Sequence, residues 1–138
     1  MCIRDRDIHF LRKINDDLLK RHYPDTMALE IGKKAQNAIK NIDDPITHGR
    51  KVLRWLRKYV QRGPVIALKI GGEEAIKVVR RVTGYTDPST AEEGTIRREL
   101  GIDSLKKATE ENRSCENLIH ASGNREEAQR ELLLWFPE

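Results

Sequence analysis

The residues best suited to chemistry lie near the C-terminus, in "NLIHASGNREEAQRELLLWF" (117–136). His120 closes a short apolar run and stands just ahead of a helix-forming stretch. Imidazole is the side chain most easily switched near neutral pH, and its neutral ring can act as a nucleophile. A His in that position can equally be a buried structural residue. The neighbours leave the same choice open when taken singly. Ser122 can cap the final helix, and Glu131 can be one of several acids on that helix's outer face. Farther upstream, Arg80 can be a solvated helix charge, Thr86 a cap for the turn at Asp87-Pro88, and Arg97 a partner for Glu99.

Composition bounds what those residues can belong to. The chain has 138 residues, 38% of them apolar and 35% charged, which predicts one soluble, highly charged domain. No apolar run approaches the roughly 20 residues a bilayer span needs, and no signal-peptide pattern opens the chain, so the expected location is cytoplasmic. Cys2 and Cys115 form neither a metal-spaced pair nor a disulfide framework. The net charge of +4 suits an anionic ligand, and it suits an ordinary solvated surface equally well.

The first six residues, "MCIRDR", look foreign to the rest of the chain. Back-translated, they resemble a transposon end used in sequencing-library preparation. The expectation is that residues 1–6 are adapter read-through and that the native domain is 7–138, cut near Asp7.

The elements that must position His120 are set by periodicity and punctuation. "DIHFLRK" (7–13) places Ile8 and Phe10 on one side, as a short strand does. Asn15 caps a short helix that stops at Pro24, and a looser helical pattern covers 26–41. Asp43, Asp44 and Pro45 read as a loop. Residues 48–62 read as a strong helix, with Val52, Leu53, Leu56, Tyr59 and Val60 as its apolar stripe. "PVIALKI" (64–70) reads as a buried strand. Residues 73–84 read as a helix with Ile76, Val79 and Val82 inward, closed by Gly84. A long loop (85–103) and a helical turn from Ser104 precede "ENLIHAS" (116–122), which reads as a strand ending at His120. A final helix over 124–136 turns Ala128, Leu132, Trp135 and Phe136 to one face. Strands and helices interleave but are few, which predicts an α+β sandwich with a small sheet and helices on one side.

From Gly63 onward the chain resembles the nucleoside diphosphate kinases. The residues that carry the resemblance are "GPVIALKI", "EEAIKVVRRVTGYTDP", "GTIR", "NLIHAS" and "EEAQRELLLWF", with "HY" (22–23) farther upstream. The resemblance implies a ferredoxin-like antiparallel sheet with helices packed on it. It also implies transfer of the terminal phosphate of a nucleoside triphosphate to a nucleoside diphosphate through a phosphohistidine, with Mg²⁺ bound through the nucleotide phosphates. His120 is then the nucleophile, Glu131 holds its ring, and Ser122 lies beside the transferring phosphate. Arg80, Thr86 and Arg97 grip phosphates, Asn117 contacts the sugar or phosphate end, and Tyr23 sits near His120. The chemistry fits these types. An attacking imidazole must be neutral, and a carboxylate on its other nitrogen fixes the tautomer and steadies the charge that develops. Planar guanidinium groups suit the spread charge of a transferring phosphoryl group. The single-residue alternatives fail jointly, because all these positions fall at the family spacings.

Departures from the family pattern are as informative. Arg98-Glu99-Leu100 follows "GTIR" in place of the usual Gly-Asp-Phe, and Glu116 stands where an Arg is usual. The segment between Pro24 and Gly63 and the loop 101–116 are longer than usual. The aromatic platform for the base is replaced by Val52, with Leu56 or Trp55 as substitutes. The family's first strand, with its phosphate-contacting Lys, and its first helix are expected to be missing. On that expectation strand 7–12 pairs with 64–70, and strand 116–121 lacks its partner. Nucleoside di- and triphosphates are the expected partners, and a homo-oligomer is expected for the complete protein. Membrane association is not expected. Two other readings compete. One is an impaired member that acts only as a nucleotide-binding or interaction module. The other is nucleic-acid binding through the basic residues of 48–62, disfavoured because a solvated helix face explains them.

Overall fold

Short polar side chains decide where the helical part of the chain begins. In the computed structural model, which describes residues 4–138, Asn15 Oδ1 accepts the Leu18 N–H at 2.8 Å and starts α1 (Asp16–His22). Cys2 and the first half of the foreign-looking hexapeptide lie outside the described residues. A 3-10 turn leads into α2 (Ala28–Ala38). Asp44 then caps α3 (Pro45–Val60), accepting the Ile46 N–H at 3.2 Å and the Thr47 hydroxyl. Helix α3 therefore starts three residues earlier than expected. Pro45 belongs to its first turn and not to the loop, because a proline loses no hydrogen bond there.

Helices α2 and α3 pack closely enough for their backbones to touch. A Cβ added at Gly32 would lie 1.7 Å from the Pro45 carbonyl oxygen, and one at Gly49 1.7 Å from the Ala28 carbonyl oxygen. The core forms beside this contact. Leu53, with no exposed surface, packs with Tyr23 and Ala28, and Met27, Ile31, Leu56 and Val60 pack around them.

The sheet consists of β1 (Ile8–Leu11) and β2 (Val65–Leu68), antiparallel, with Phe10 opposite Ile66 and Ile8 opposite Leu68. The expected pairing of the first two strands is found. The expectation that 64–70 is buried is corrected: β2 alternates, with Val65 and Ala67 half-buried and Ile66 and Leu68 exposed. Ile8 and Phe10 are exposed on the same face, so one side of the ribbon is an open apolar surface. The other side holds the C-terminal helix α7 (Arg125–Trp135) through His9, whose Nδ1 donates to the Trp135 carbonyl at 3.1 Å and whose ring lies 4.3 Å from that of Phe136.

Helix α4 (Ala75–Thr83) closes at Gly84, whose φ of 87° is the left-handed geometry glycine accepts without strain. Val82 is exposed and not inward as expected. Ile76, Val79 and Thr83 lie at i, i+3 and i+7, and Thr83 takes the buried place on that stripe. Two short helices come next, α5 (Ile96–Leu100) capped by Thr95 and α6 (Leu105–Glu110) capped by Ser104.

The larger correction concerns 116–121, expected to be a strand. It is irregular. Asn117 N–H bonds the Cys115 carbonyl at 3.0 Å, Ile119 N–H bonds the Asn117 carbonyl at 2.9 Å, and Leu118 has a φ of 71°. A strand needs a ladder partner for its backbone groups. Among the described residues the sheet has only β1 and β2, and this segment turns on itself instead. The class is α+β with an antiparallel ribbon, as expected.

The α2–α3 contact generates a direct test. Gly49→Ala sets a methyl group against backbone, which cannot move aside as a side chain can. Loss of about 1–3 kcal/mol of unfolding free energy is expected in urea denaturation, whereas Gly63→Ala, where a Cβ meets nothing within 4 Å, should change little.

Candidate active site

Helix α7 begins at Asn124, whose Oδ1 accepts the Glu127 N–H at 2.9 Å. Glu131 lies two turns into that helix and faces back across the turn that carries His120. His120 Nε2 sits 2.9 and 2.8 Å from the two carboxylate oxygens of Glu131, and Ser122 Oγ donates to one of them at 2.8 Å. An ionised carboxylate only accepts, so the proton between them is on His120 Nε2. In the neutral ring the lone pair is then on His120 Nδ1, on a side chain 43% exposed and open to a ligand. Burial alone would raise the Glu131 pKa. The hydrogen bond and charge of His120 and the hydrogen bond from Ser122 outweigh it, and the net shift is downward.

Behind His120 is an aromatic wall. His22 is buried, and its ring stands edge-on to His120 at 4.8 Å, to Tyr23 at 4.4 Å and to Trp135 at 5.4 Å. Trp135 Nε1–H donates to His22 Nδ1 at 3.1 Å. Burial, then the charge of His120, hold the His22 pKa down at about 4. Tyr23 is buried 6.4 Å from His120, and burial raises its phenol pKa. Arg130 bonds the Arg21 carbonyl at 2.9 Å, which ties the end of α1 to α7.

In front of His120 lie the other residues picked out from the sequence. Arg80 is exposed on α4, its Nη1 3.4 Å from the Ala121 carbonyl. Arg97 is only 6% exposed and bonds the Gly84 carbonyl at 2.9 Å and the Ile119 carbonyl at 2.5 Å. Its guanidinium thus braces the His120 turn against the end of α4, while Nε is buried without a partner. Glu99 accepts the Gly94 N–H and not Arg97. Asn117 donates to the Thr86 carbonyl at 3.3 Å. The fold brings His120, Glu131, Ser122, Tyr23, Arg80, Arg97, Asn117 and Thr86 to one place. Leu56 instead packs in the α2–α3 core, and Val52 is half-buried on the neighbouring flank of α3.

Sequence reasoning missed four residues that shape this site. Trp135 reads only as part of an apolar helix face and His22 only as half of "HY", and nothing in either pattern points to a bond between them. Asp103 and Arg113 lie in the long loop. Asp103 is buried, takes both Arg113 Nη groups at 2.6 and 3.0 Å, and accepts the Glu116 N–H at 2.8 Å. Glu116, in the place of the usual Arg, pairs with Arg62, just beyond the end of α3. Asp87 accepts the Leu105 N–H at 3.2 Å and so ties α6 to the loop that follows α4. No helix among the described residues is long and apolar enough to cross a membrane.

With this geometry in hand, the chain can be set beside known proteins. The family model described as "Nucleoside diphosphate kinase" matches residues 45–138. A nucleoside diphosphate kinase of Pyrobaculum aerophilum is 39% identical over 129 residues, covering 94% of this chain and 67% of that protein. One of Borreliella burgdorferi is 38% identical over 91 residues, covering 66% of this chain and 54% of the other. The chain thus spans about half to two-thirds of these relatives. Among solved structures, an NDP kinase from Pyrobaculum aerophilum superposes with a TM-score of 0.89 at 33% identity, covering 99% of this chain and 81% of that one. A transition-state mimic of the Borrelia burgdorferi enzyme with bound vanadate and ADP superposes with a TM-score of 0.74 at 29% identity, covering 95% and 71%.

The Asp103 tie predicts a pH signature. Its bonds with Arg113 come first among the causes that hold its pKa well below the usual range, against the upward push of burial. A depressed carboxylate pKa contributes stability that is present above the unfolded value of about 4 and lost as pH falls through the folded value. Asp103→Asn should cost about 1–3 kcal/mol in denaturant melts at neutral pH, and the gap from the parent protein should close as the melts are repeated in increasingly strong acid.

Proposed function

The chain belongs to the nucleoside diphosphate kinase family, and from that premise we propose that it transfers the terminal phosphate of a nucleoside triphosphate to a nucleoside diphosphate through phospho-His120. The observation that carries this reading is the bond of His120 Nε2 to both oxygens of Glu131. It leaves Nδ1 as the nucleophile. In the first half-reaction the Nδ1 lone pair attacks the terminal phosphorus in line, the bond to the bridging oxygen breaks, and a nucleoside diphosphate leaves with the electron pair. The ring gains positive charge as the N–P bond forms, and the buried Glu131 carboxylate stabilises it. The second half-reaction is the reverse, with a different diphosphate as acceptor.

The remaining residues orient the substrate and neutralise its charge. Arg80 lies next to the Ala121 carbonyl and is exposed, so its free donors are available to phosphate oxygens. Thr86 and Asn117, joined by the Asn117 amide on the Thr86 carbonyl, are assigned to the same phosphate and sugar contacts. Arg97 acts by holding the His120 turn and adding positive potential, since two of its donors already bond backbone. Ser122 donates to Glu131 and lies within a turn of the reacting nitrogen. The donor set fits a Mg²⁺ that comes with the nucleotide: the close group of ligating types is His22, His120 and Glu131, two imidazoles and a bonded carboxylate, whereas Mg²⁺ prefers oxygen ligands and retains its waters. Bound through the phosphates, Mg²⁺ would neutralise developing charge there. The base platform on Val52 and Leu56 remains part of this proposal.

Incubation with γ-labelled nucleoside triphosphate tests the reading. An acid-labile, base-stable label on His120 is expected, and His120→Ala should abolish both label and exchange. Label that survives His120→Ala means a different nucleophile. Nucleotide binding without any label means a binding module. In the same assay Glu131→Gln should slow phosphorylation about 10- to 200-fold, equivalent to about 1–3 kcal/mol of transition-state stabilisation, with the fold intact by circular dichroism. An unchanged rate would return Glu131 to a structural role.

A further inference from the structure

The group behind the reactive nitrogen has the composition of a transition-metal site. One ring nitrogen of His22, one of His120 and a carboxylate oxygen of Glu131 all lie within 4.8 Å of one another. Zinc takes His nitrogen and carboxylate oxygen at about 2.0–2.2 Å, so ligands around one zinc stand about 3.4 Å apart, and three protein ligands suffice for a site with an open position. A small shift of side chains would close this cluster around a cation. A zinc ion there would occupy the carboxylate that holds His120 and turn its ring.

Hydrogen bonding opposes that closure. An indole N–H can only donate, so His22 Nδ1, 3.1 Å from Trp135 Nε1, must be the acceptor. Burial is the largest cause that lowers the His22 pKa, to about 4, so this ring is neutral at ordinary pH. A neutral imidazole with Nδ1 accepting carries its proton on Nε2. Neither nitrogen of His22 then has a free lone pair: one is bonded to Trp135, and the other is covered by its own proton. The ionisable groups that face this ring are His120, Glu131 and Arg130, with Tyr23 packed on its edge. His120 Nε2 is in turn committed to Glu131. The one uncommitted lone pair on an imidazole of the cluster is His120 Nδ1.

We propose that Trp135, acting through His22, is a positioning residue that keeps the acceptor histidine free of divalent transition metal: its N–H locks His22 in the Nε2–H tautomer and so removes one ligand from a three-ligand set. The benefit to phosphate transfer rests on the reading of His120 as acceptor. The lock itself is independent of turnover and is tested without it.

Two measurements on the full chain test it. Long-range nitrogen–proton NMR of the histidine rings should find His22 with an unprotonated Nδ1 and a protonated Nε2 across neutral pH. Calorimetric titration with Zn²⁺ alone should show Trp135→Phe, which frees the His22 lone pair, binding one ion at least about tenfold more tightly than the parent protein. Trp135→Phe combined with His22→Gln should lose that gain, which separates this site from surface histidines. An Nδ1–H tautomer at His22, or equal zinc affinity in the parent and Trp135→Phe proteins, would overturn the proposal. The NMR result on the unsubstituted chain decides if the Trp135 variant does not fold. A chain that shows the lock but forms no phosphohistidine would refute the proposed function and leave the lock standing.

Discussion

Glu131 is an ionised carboxylate in a place that water scarcely reaches. A buried charge is costly unless its lone pairs are bonded, and the C-terminal third of the molecule is arranged around meeting that condition. His120 covers both oxygens and Ser122 adds a second donor to one of them. These donors sit on a turn, while Glu131 sits on a helix, so the two must be held at a set separation. Arg130, one residue before Glu131, bonds the end of α1, and His9 on β1 bonds the Trp135 carbonyl at the other end of α7. The helix is pinned on both sides of its buried acid.

The same requirement explains why an irregular segment can carry the reactive side chain. The turn over 117–121 has no ladder to hold it. Arg97 replaces the ladder: it is buried and bonds Ile119 on the turn and Gly84 at the close of α4. Gly84 ends α4 at a positive φ that glycine adopts without strain, and its carbonyl receives the guanidinium. Asp103 performs a similar service one segment earlier, where Arg113 and the Glu116 N–H converge on it. Two charged side chains thus supply the order that a strand would otherwise bring.

Much of the local structure could be read from residue types. Asn15, Thr95, Ser104 and Asn124 each cap a helix with a side-chain oxygen three residues from its target N–H, which is a short-range interaction independent of the rest of the fold. The spacing of Ile8 and Phe10 and the short apolar run at 64–70 were enough to place two strands, and the structure pairs them antiparallel. The spacing of His120 and Glu131 was legible too, because a helix starting at Asn124 brings the acid round to the preceding turn.

What the sequence could not determine is where each apolar or charged side chain finds its partner. Val82 belongs to an apolar helix yet is exposed, while Ile76, Val79 and Thr83 take the covered side of α4. "ENLIH" has the composition of a strand, but strands are made by partners, and none lies alongside it among the described residues. Arg97 taken alone reads as a partner for Glu99, and only the meeting of two carbonyls 35 residues apart in the chain, at Gly84 and Ile119, gives it its bonds. His22 and Trp135 are 113 residues apart, and no local pattern announces that one donates to the other. Amino-acid types settle which groups can donate, accept or ionise, because those are properties of single side chains. Tautomer, burial and pKa depend on the groups within a few ångströms, and that was decided when α7 packed across α1 and the His120 turn.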